Sequence, residues 1–272
     1  MRAALPLLCV GAACATAAPA RPVTISIVGT NDVHGRLASV ATFSGYVANV
    51  RRARERDGGA VVLIDAGDAF QGTLESNLDE GASLVAAYNA LRVDAMAVGN
   101  HEFDFGPAGP LPTPRTKADD PRGALKARAR EARYPFLAAN LRELGADTRW
   151  DNVPPSVIIE AGVKIGIVGV TTEDTAKVTI RANFEGLETW SLPDAIARAA
   201  RKLRSDGAEL VIVAAHAGGE CEDFERPDDL SSCDPDEEIS VRRARSEART
   251  SWTRSSPGTP TPVSRTWWRA SR

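Results

Sequence analysis

Ala95-Met96-Ala97-Val98-Gly99-Asn100-His101-Glu102-Phe103-Asp104 is the stretch on which the reading of this chain turns. Four apolar residues run into a glycine, and an amide, an imidazole and carboxylates follow at once. A strand that ends on a glycine turn and then displays polar side chains is how an α/β sheet presents chemistry at its edge. Alone, the stretch is no more than a polar loop with one histidine.

It has company. The chain holds three histidines in 272 residues, and each follows a run rich in β-branched and small apolar residues. His34 lies in Asn31-Asp32-Val33-His34-Gly35 after the run 23–28, His101 follows 93–98, and His216 opens His216-Ala217-Gly218-Gly219 after 210–215. A fourth run, 60–64, ends in Asp65-Ala66-Gly67-Asp68. Histidines used for packing would be scattered. Here four predicted strands each deliver Asp, Asn or His at the C-terminal end.

The length suits one large α/β domain or two small ones, and a hydrophobic share of 43% is enough for a substantial core. A formal net charge of -3 gives no sign of nucleic-acid binding, and no nucleic-acid module is present. The average hides a break: residues 241–272 carry eight Arg, one Glu and three of the five Trp. At the other end, residues 1–20 read as an export signal. Arg2 is followed by an apolar run, 3–13, too short to span a bilayer, and by small-residue cleavage sites at Ala15-Thr16-Ala17 and Ala18-Pro19-Ala20. A lipid anchor on Cys14 ranks second, because Gly11 stands where a larger aliphatic is usual. No later run predicts a transmembrane helix, so the mature chain is expected in the periplasm or outside the cell. Cys221 and Cys233 flank an acidic segment. A disulfide and two free thiols both fit, whereas their spacing does not suit a zinc site.

Periodicity predicts strands over 23–30, 60–64, 93–98, 136–139 and 210–215. It predicts helices over 39–56, 84–91, 122–133 and 192–204, and a hairpin of 156–160 and 163–170 joined by Ala161-Gly162. Proline-rich 107–121 reads as a surface loop. Strands alternating with helices, plus one hairpin, imply a mixed sheet or two packed sheets with helices outside.

An Asp-x-His pair can bind one cation through a carboxylate oxygen and an imidazole nitrogen. A separate Asp can bridge two cations, and Asn with a further His can complete a second site. Mixed oxygen and nitrogen donors suit divalent zinc, manganese, iron or cobalt. Two such ions about 3.5–4 Å apart can hold a phosphoryl group and activate water.

The motifs resemble a known family. Asn-Asp-Val-His-Gly at 31–35, Gly-Asp-Ala-Phe-Gln-Gly at 67–72, Gly-Asn-His-Glu-Phe-Asp at 99–104 and His-Ala-Gly-Gly at 216–219 are similar to those of the calcineurin-like metallophosphoesterases. The likeness is strongest to the catalytic domain of the bacterial 5′-nucleotidase and UDP-sugar hydrolase group, and it covers about 23–239. It implies a four-layer α/β/β/α sandwich of two mixed sheets, incomplete at its C-terminal end. It also implies two divalent metal ions. Asp32 and His34 would ligate the first, Asp68 would bridge, and Asn100 and His216 would ligate the second. His101 would protonate the leaving oxygen or stabilise charge on the phosphoryl oxygens, with Asp104 holding and charging it. Glu102 would support the ligands from behind, Asn31 would order its loop, and Asp65 would be structural.

One motif of that pattern, Gly-His-x-His or Gly-His-x-Gln after His216, has no counterpart, since the chain has no fourth histidine. Residues 240–272 have the composition of a basic, disordered tail. The genetic code offers another reading. From Pro257 to Val263, joining the third base of each codon to the next two gives NGG, NAC, NCC, NAC, NCC and NGT. These permit Gly-His-Thr-His-Ala-Gly, and the triplets from Thr253 to Pro257 permit Ala-Val-Val-Ala, an apolar strand leading in. A frame shift between about 239 and 249 accounts for both. The chain as written would then lack one ligand per metal, its last strands and the domain that in that group binds the base. It would be weakly active or inactive.

The expectation is a monomeric, two-metal phosphoester hydrolase acting on nucleotide or other phosphoesters. A thiosulfohydrolase is a chemical cousin. The alternative is a non-catalytic truncated product with residual metal binding.

Overall fold

The computed structural model describes residues 22–148 and 150–218. The chain begins with β1 (Ile25–Thr30), α1 (Leu37–Asp57), β2 (Ala60–Asp65), α2 (Leu74–Leu78), α3 (Ala82–Leu91), β3 (Ala95–Ala97), α4 (Gly123–Glu131) and β4 (Phe136–Leu137). It continues with β5 (Leu141–Glu143), β6 (Ala146–Asp147), the hairpin of β7 (Ser156–Glu160) and β8 (Lys164–Thr171), then two helical turns, α5 (Thr175–Val178) and α6 (Arg181–Phe184). β9 (Leu187–Thr189), α7 (Leu192–Ser205) and β10 (Leu210–His216) complete the described residues.

β1, β2, β3 and β4 form a parallel sheet in that order. Each of its connections carries a helix, the crossover that parallel neighbours need. The second sheet, β10-β8-β7, is mixed: β10 runs parallel to β8, and the hairpin supplies the antiparallel pair. A small antiparallel sheet, β6-β5-β9, lies outside both.

Three apolar layers separate four structural ones, so the α/β/β/α sandwich stands as expected. Only one of its two sheets is mixed, however: among the described residues the first is all parallel, because each of its strands is reached through a helix. Along β2 the side chains alternate, as a strand demands. Leu63 packs with Val40 and Val47 of α1 and with Leu84 and Val85 of α3. Val62 and Ile64 pack between the sheets with Ala95, Ala97, Leu137, Ile165 and Ile167. On the far side, Val168 and Val170 of β8 meet Leu192, Ala195, Ile196, Ala199 and Leu203 of α7. Burial of each large aliphatic side chain contributes about 1.5–3 kcal/mol.

The two main sheets are joined at one corner. Ala139, just after β4, donates its N–H to the carbonyl of Gly169 at 2.7 Å. Asn140 bonds both ways with the Thr171 backbone, at 2.7 and 3.0 Å. Gly169 has no room for a side chain, because a Cβ there would lie 2.2 Å from the Leu137 Cβ.

Helix ends follow their sequence signals. α1 stops at Gly58, whose φ of 73° is left-handed and whose N–H closes on Arg54. α7 starts from Ser191, whose hydroxyl accepts the Asp194 N–H. No helix among the described residues is long and apolar enough to cross a membrane. The expected export signal, Cys14, Cys221, Cys233 and the basic tail lie outside the described residues.

Candidate metal centre

The loops after β1, β2, β3 and β10 meet at the C-terminal ends of their strands. The first two are laced together by backbone bonds. Asp32 N–H donates to the Gly67 carbonyl (2.9 Å), His34 to Asp68 (3.0 Å) and Gly35 to Ala69 (2.8 Å). Asp32, His34 and Asp68 all have left-handed φ, at 51°, 48° and 56°. Each such residue costs about 1–3 kcal/mol and persists only where its surroundings hold it. The third loop comes so near that a Cβ on Gly99 would sit 2.3 Å from Asp68 Oδ1.

Glu102 ties these loops from beneath. It is 1% exposed, and it forms a turn of 3-10 helix with its neighbours, His101–Phe103. Its Oε2 accepts the N–H groups of Asp68 (2.9 Å) and Gly99 (2.7 Å), and its Oε1 those of Ala69 (2.7 Å) and Phe70 (3.3 Å). Asp65, also buried, accepts from Thr30 Oγ1 and Tyr88 OH (both 2.7 Å) and from Gly67 N–H (2.8 Å). Burial pushes its carboxyl up to about 6.

Above this floor the polar groups converge. His216 Nε2 lies 3.1 Å from Asp68 Oδ2 and 3.0 Å from Asn100 Oδ1. Ligand atoms of Asp32, Asp68 and His216 all lie within 4.8 Å of one another. His34 stands to one side, its Nε2 3.6 Å from Asp32 Oδ1 and its ring edge-on to His101 at 5.3 Å. Asn31 donates its amide to Asp32. His101 lies alongside, its backbone N–H on Asp68 Oδ1 (2.9 Å) and its Nδ1 on Asp104 Oδ2 (2.5 Å). The seven residues expected as ligands or as the acid pair therefore share one neighbourhood.

The three imidazoles are oriented alike. His34 Nδ1 faces the Gln71 carbonyl (2.7 Å), His101 Nδ1 the Asp104 carboxylate, and His216 Nδ1 the Ala66 carbonyl (3.1 Å). Each partner only accepts, so Nδ1 carries the proton and Nε2 is left to serve. At His216 this has a consequence. Its Nε2, Asp68 Oδ2 and Asn100 Oδ1 meet with no obligatory donor among them, a donor set that fits a divalent cation. Without one, the ring must hold a second proton. Burial works to lower the His216 pKa, but the Asp68 bond and charge outweigh it and raise it to about 9. Burial likewise works to raise Asp68, while the His216 bond and charge bring it below the usual carboxylate range. The Asp104 bond raises His101, against partial burial.

A family model described as calcineurin-like phosphoesterase matches residues 25–241. The chain belongs to the calcineurin-like phosphoesterase family. Snake venom 5′-nucleotidase from Crotalus adamanteus is 36% identical over 209 residues, covering 71% of this chain and 33% of that protein. Protein UshA from Salmonella pullorum is 31% identical over 171 residues, covering 60% and 28%. The crystal structure of a 5′-nucleotidase precursor from Thermus thermophilus superposes with a TM-score of 0.58 at 26% identity, covering 70% of this chain and 36% of that one. The chain thus spans about a third of the length of the curated relatives it matches.

Some groups that shape this phosphoesterase site carry no sequence signal. The carbonyls of Ala66, Gln71 and Val178 orient His216, His34 and Asn100, yet every residue has a carbonyl. Thr179, which reaches Asp104, lies 75 residues further along the chain in a polar stretch.

Proposed function

We propose that residues 23–239 form the catalytic domain of a two-metal phosphoester hydrolase of the 5′-nucleotidase type. The observation that carries this reading is the convergence of His216 Nε2, Asp68 Oδ2 and Asn100 Oδ1 beside Asp32. Asp32 and His34 would hold one cation, Asp68 both, and Asn100 and His216 the other. Zinc, manganese, cobalt or iron suits these donors and, when bound, polarises phosphoryl oxygens and lowers the pKa of water. His101 would pass a proton from its Nε2 to a leaving oxygen, with Asp104, on its Nδ1, stabilising the charged ring. Glu102 keeps the Asp68 and Gly99 backbones at a fixed separation, so ligands and acid stay in register.

The likeness to 5′-nucleotidases supports nucleotide phosphoesters as the substrate class. An exported monomer is the setting we assign, with the leader over 1–20 and an out-of-frame tail over 240–272. Resequencing codons 239–272 tests the tail: third bases at 257–261 that cannot yield Gly-His-Thr-His refute it. The count of three histidines favours a second reading, a non-catalytic product that binds metal only. Manganese- or cobalt-dependent hydrolysis of p-nitrophenyl phosphate by the full chain, abolished by Asp68→Ala, supports the enzyme. Metal binding with no turnover supports the second reading.

A further inference from the structure

We propose that Thr179 is a positioning residue for the His101–Asp104 pair, carried on a strap, 175–183, that also sets the orientation of Asn100. Thr179 Oγ1 donates to Asp104 Oδ1 at 3.0 Å, while Asp104 Oδ2 receives His101 Nδ1 at 2.5 Å. A carboxylate held by one oxygen can still turn about its Cβ–Cγ bond. A donor on the second oxygen fixes its plane, and with it the imidazole. The Asp104 side chain is 14% exposed, so little water is at hand to substitute for the hydroxyl.

One residue earlier, the Val178 carbonyl accepts from Asn100 Nδ2 at 3.1 Å. That bond settles which way the amide faces and turns Oδ1 toward His216. The strap is pinned at both ends. Thr175 is buried, with its hydroxyl on the Thr172 carbonyl (2.6 Å) and 3.0 Å from Thr171 Oγ1. Asn183 is buried too, and its Nδ2 donates to the carbonyls of Phe103 and Pro112, both at 2.9 Å. Two consecutive residues between these pins therefore hold the amide of Asn100 and the carboxylate of Asp104 at a set distance. The proposal rests on the acid role given to His101 above.

On the full chain with manganese, Thr179→Val is expected to lower kcat about tenfold toward a nucleoside 5′-monophosphate, whose alkoxide leaving group needs a proton. Toward p-nitrophenyl phosphate, whose leaving group does not, the change is about twofold or less. KM and manganese affinity stay unchanged, and Thr179→Ser restores kcat. A readout independent of turnover is nuclear magnetic resonance of isotope-labelled histidine, because the chain has three rings to resolve. Thr179→Val is expected to move the His101 Nδ1 signal and leave those of His34 and His216 in place. An unmoved His101 signal, or a fall in kcat that Thr179→Ser does not rescue, overturns the proposal. His101→Ala separates the two levels. If it leaves turnover of the nucleotide intact, the acid role fails; if it lowers turnover and Thr179→Val does not, the positioning role alone fails.

Discussion

Glu102 gathers four backbone N–H groups from two loops on one buried carboxylate. Glu102→Gln keeps the shape but turns an amide NH2 against donors that need an acceptor. We expect a loss of about 3 kcal/mol in urea denaturation, with weaker metal binding, because leaving buried N–H groups unpaired is costly. His216 gives a pH prediction. Its pKa in the metal-free fold, about 9, lies above the ordinary 6.5. The raised His216 pKa therefore adds stability that is lost as the pH rises from 6.5 through about 9. At the acid end the pair's contribution is lost when Asp68 takes up a proton, below the usual carboxylate range. Cation binding runs the other way, since it needs the neutral ring. Affinity should climb about tenfold per pH unit between 7 and 9, measured by calorimetric titration, with protons released on binding.

At the level of elements, the corner where β4 reaches β8 leaves no slack. Gly169→Ala would drive a Cβ into Leu137, and we expect about 1–3 kcal/mol of destabilisation in thermal melts, with the site residues unaltered. The elements legible in the sequence were those with a face to bury. β2 alternates between two cores, and α7 puts Leu192, Ala195, Ile196, Ala199 and Leu203 on one side. The four polar loop tips could be read because each follows such a strand. β5, β6 and β9 could not, being two or three residues long and mostly exposed or half-buried. α2 was equally silent: Leu74 and Leu78 are 71% and 78% exposed, so no apolar stripe announces it. At the site, side-chain ligands show in the sequence, whereas Val178 and Thr179 act through a carbonyl and a hydroxyl brought in by folding alone.

For the whole molecule, a ligand that binds only the folded state raises its stability. At a hundred times its dissociation constant, manganese or zinc should add about 2.7 kcal/mol, a rise in Tm of roughly 5–10 °C for a chain of this size. Asp68→Ala should abolish that rise in a thermal shift assay, whereas Tyr46→Ala, on the exposed face of α1, should leave it intact. The lacing of the first two loops reaches further. Backbone bonds between these loops, with Asp32 and His34 as donors and the Asp68 carbonyl as an acceptor, brace the left-handed shapes of all three residues. A scaffold braced by its own main chain is expected to assemble before any cation arrives, so the protein made in a metal-starved medium should give the same circular dichroism spectrum as the metal-loaded one.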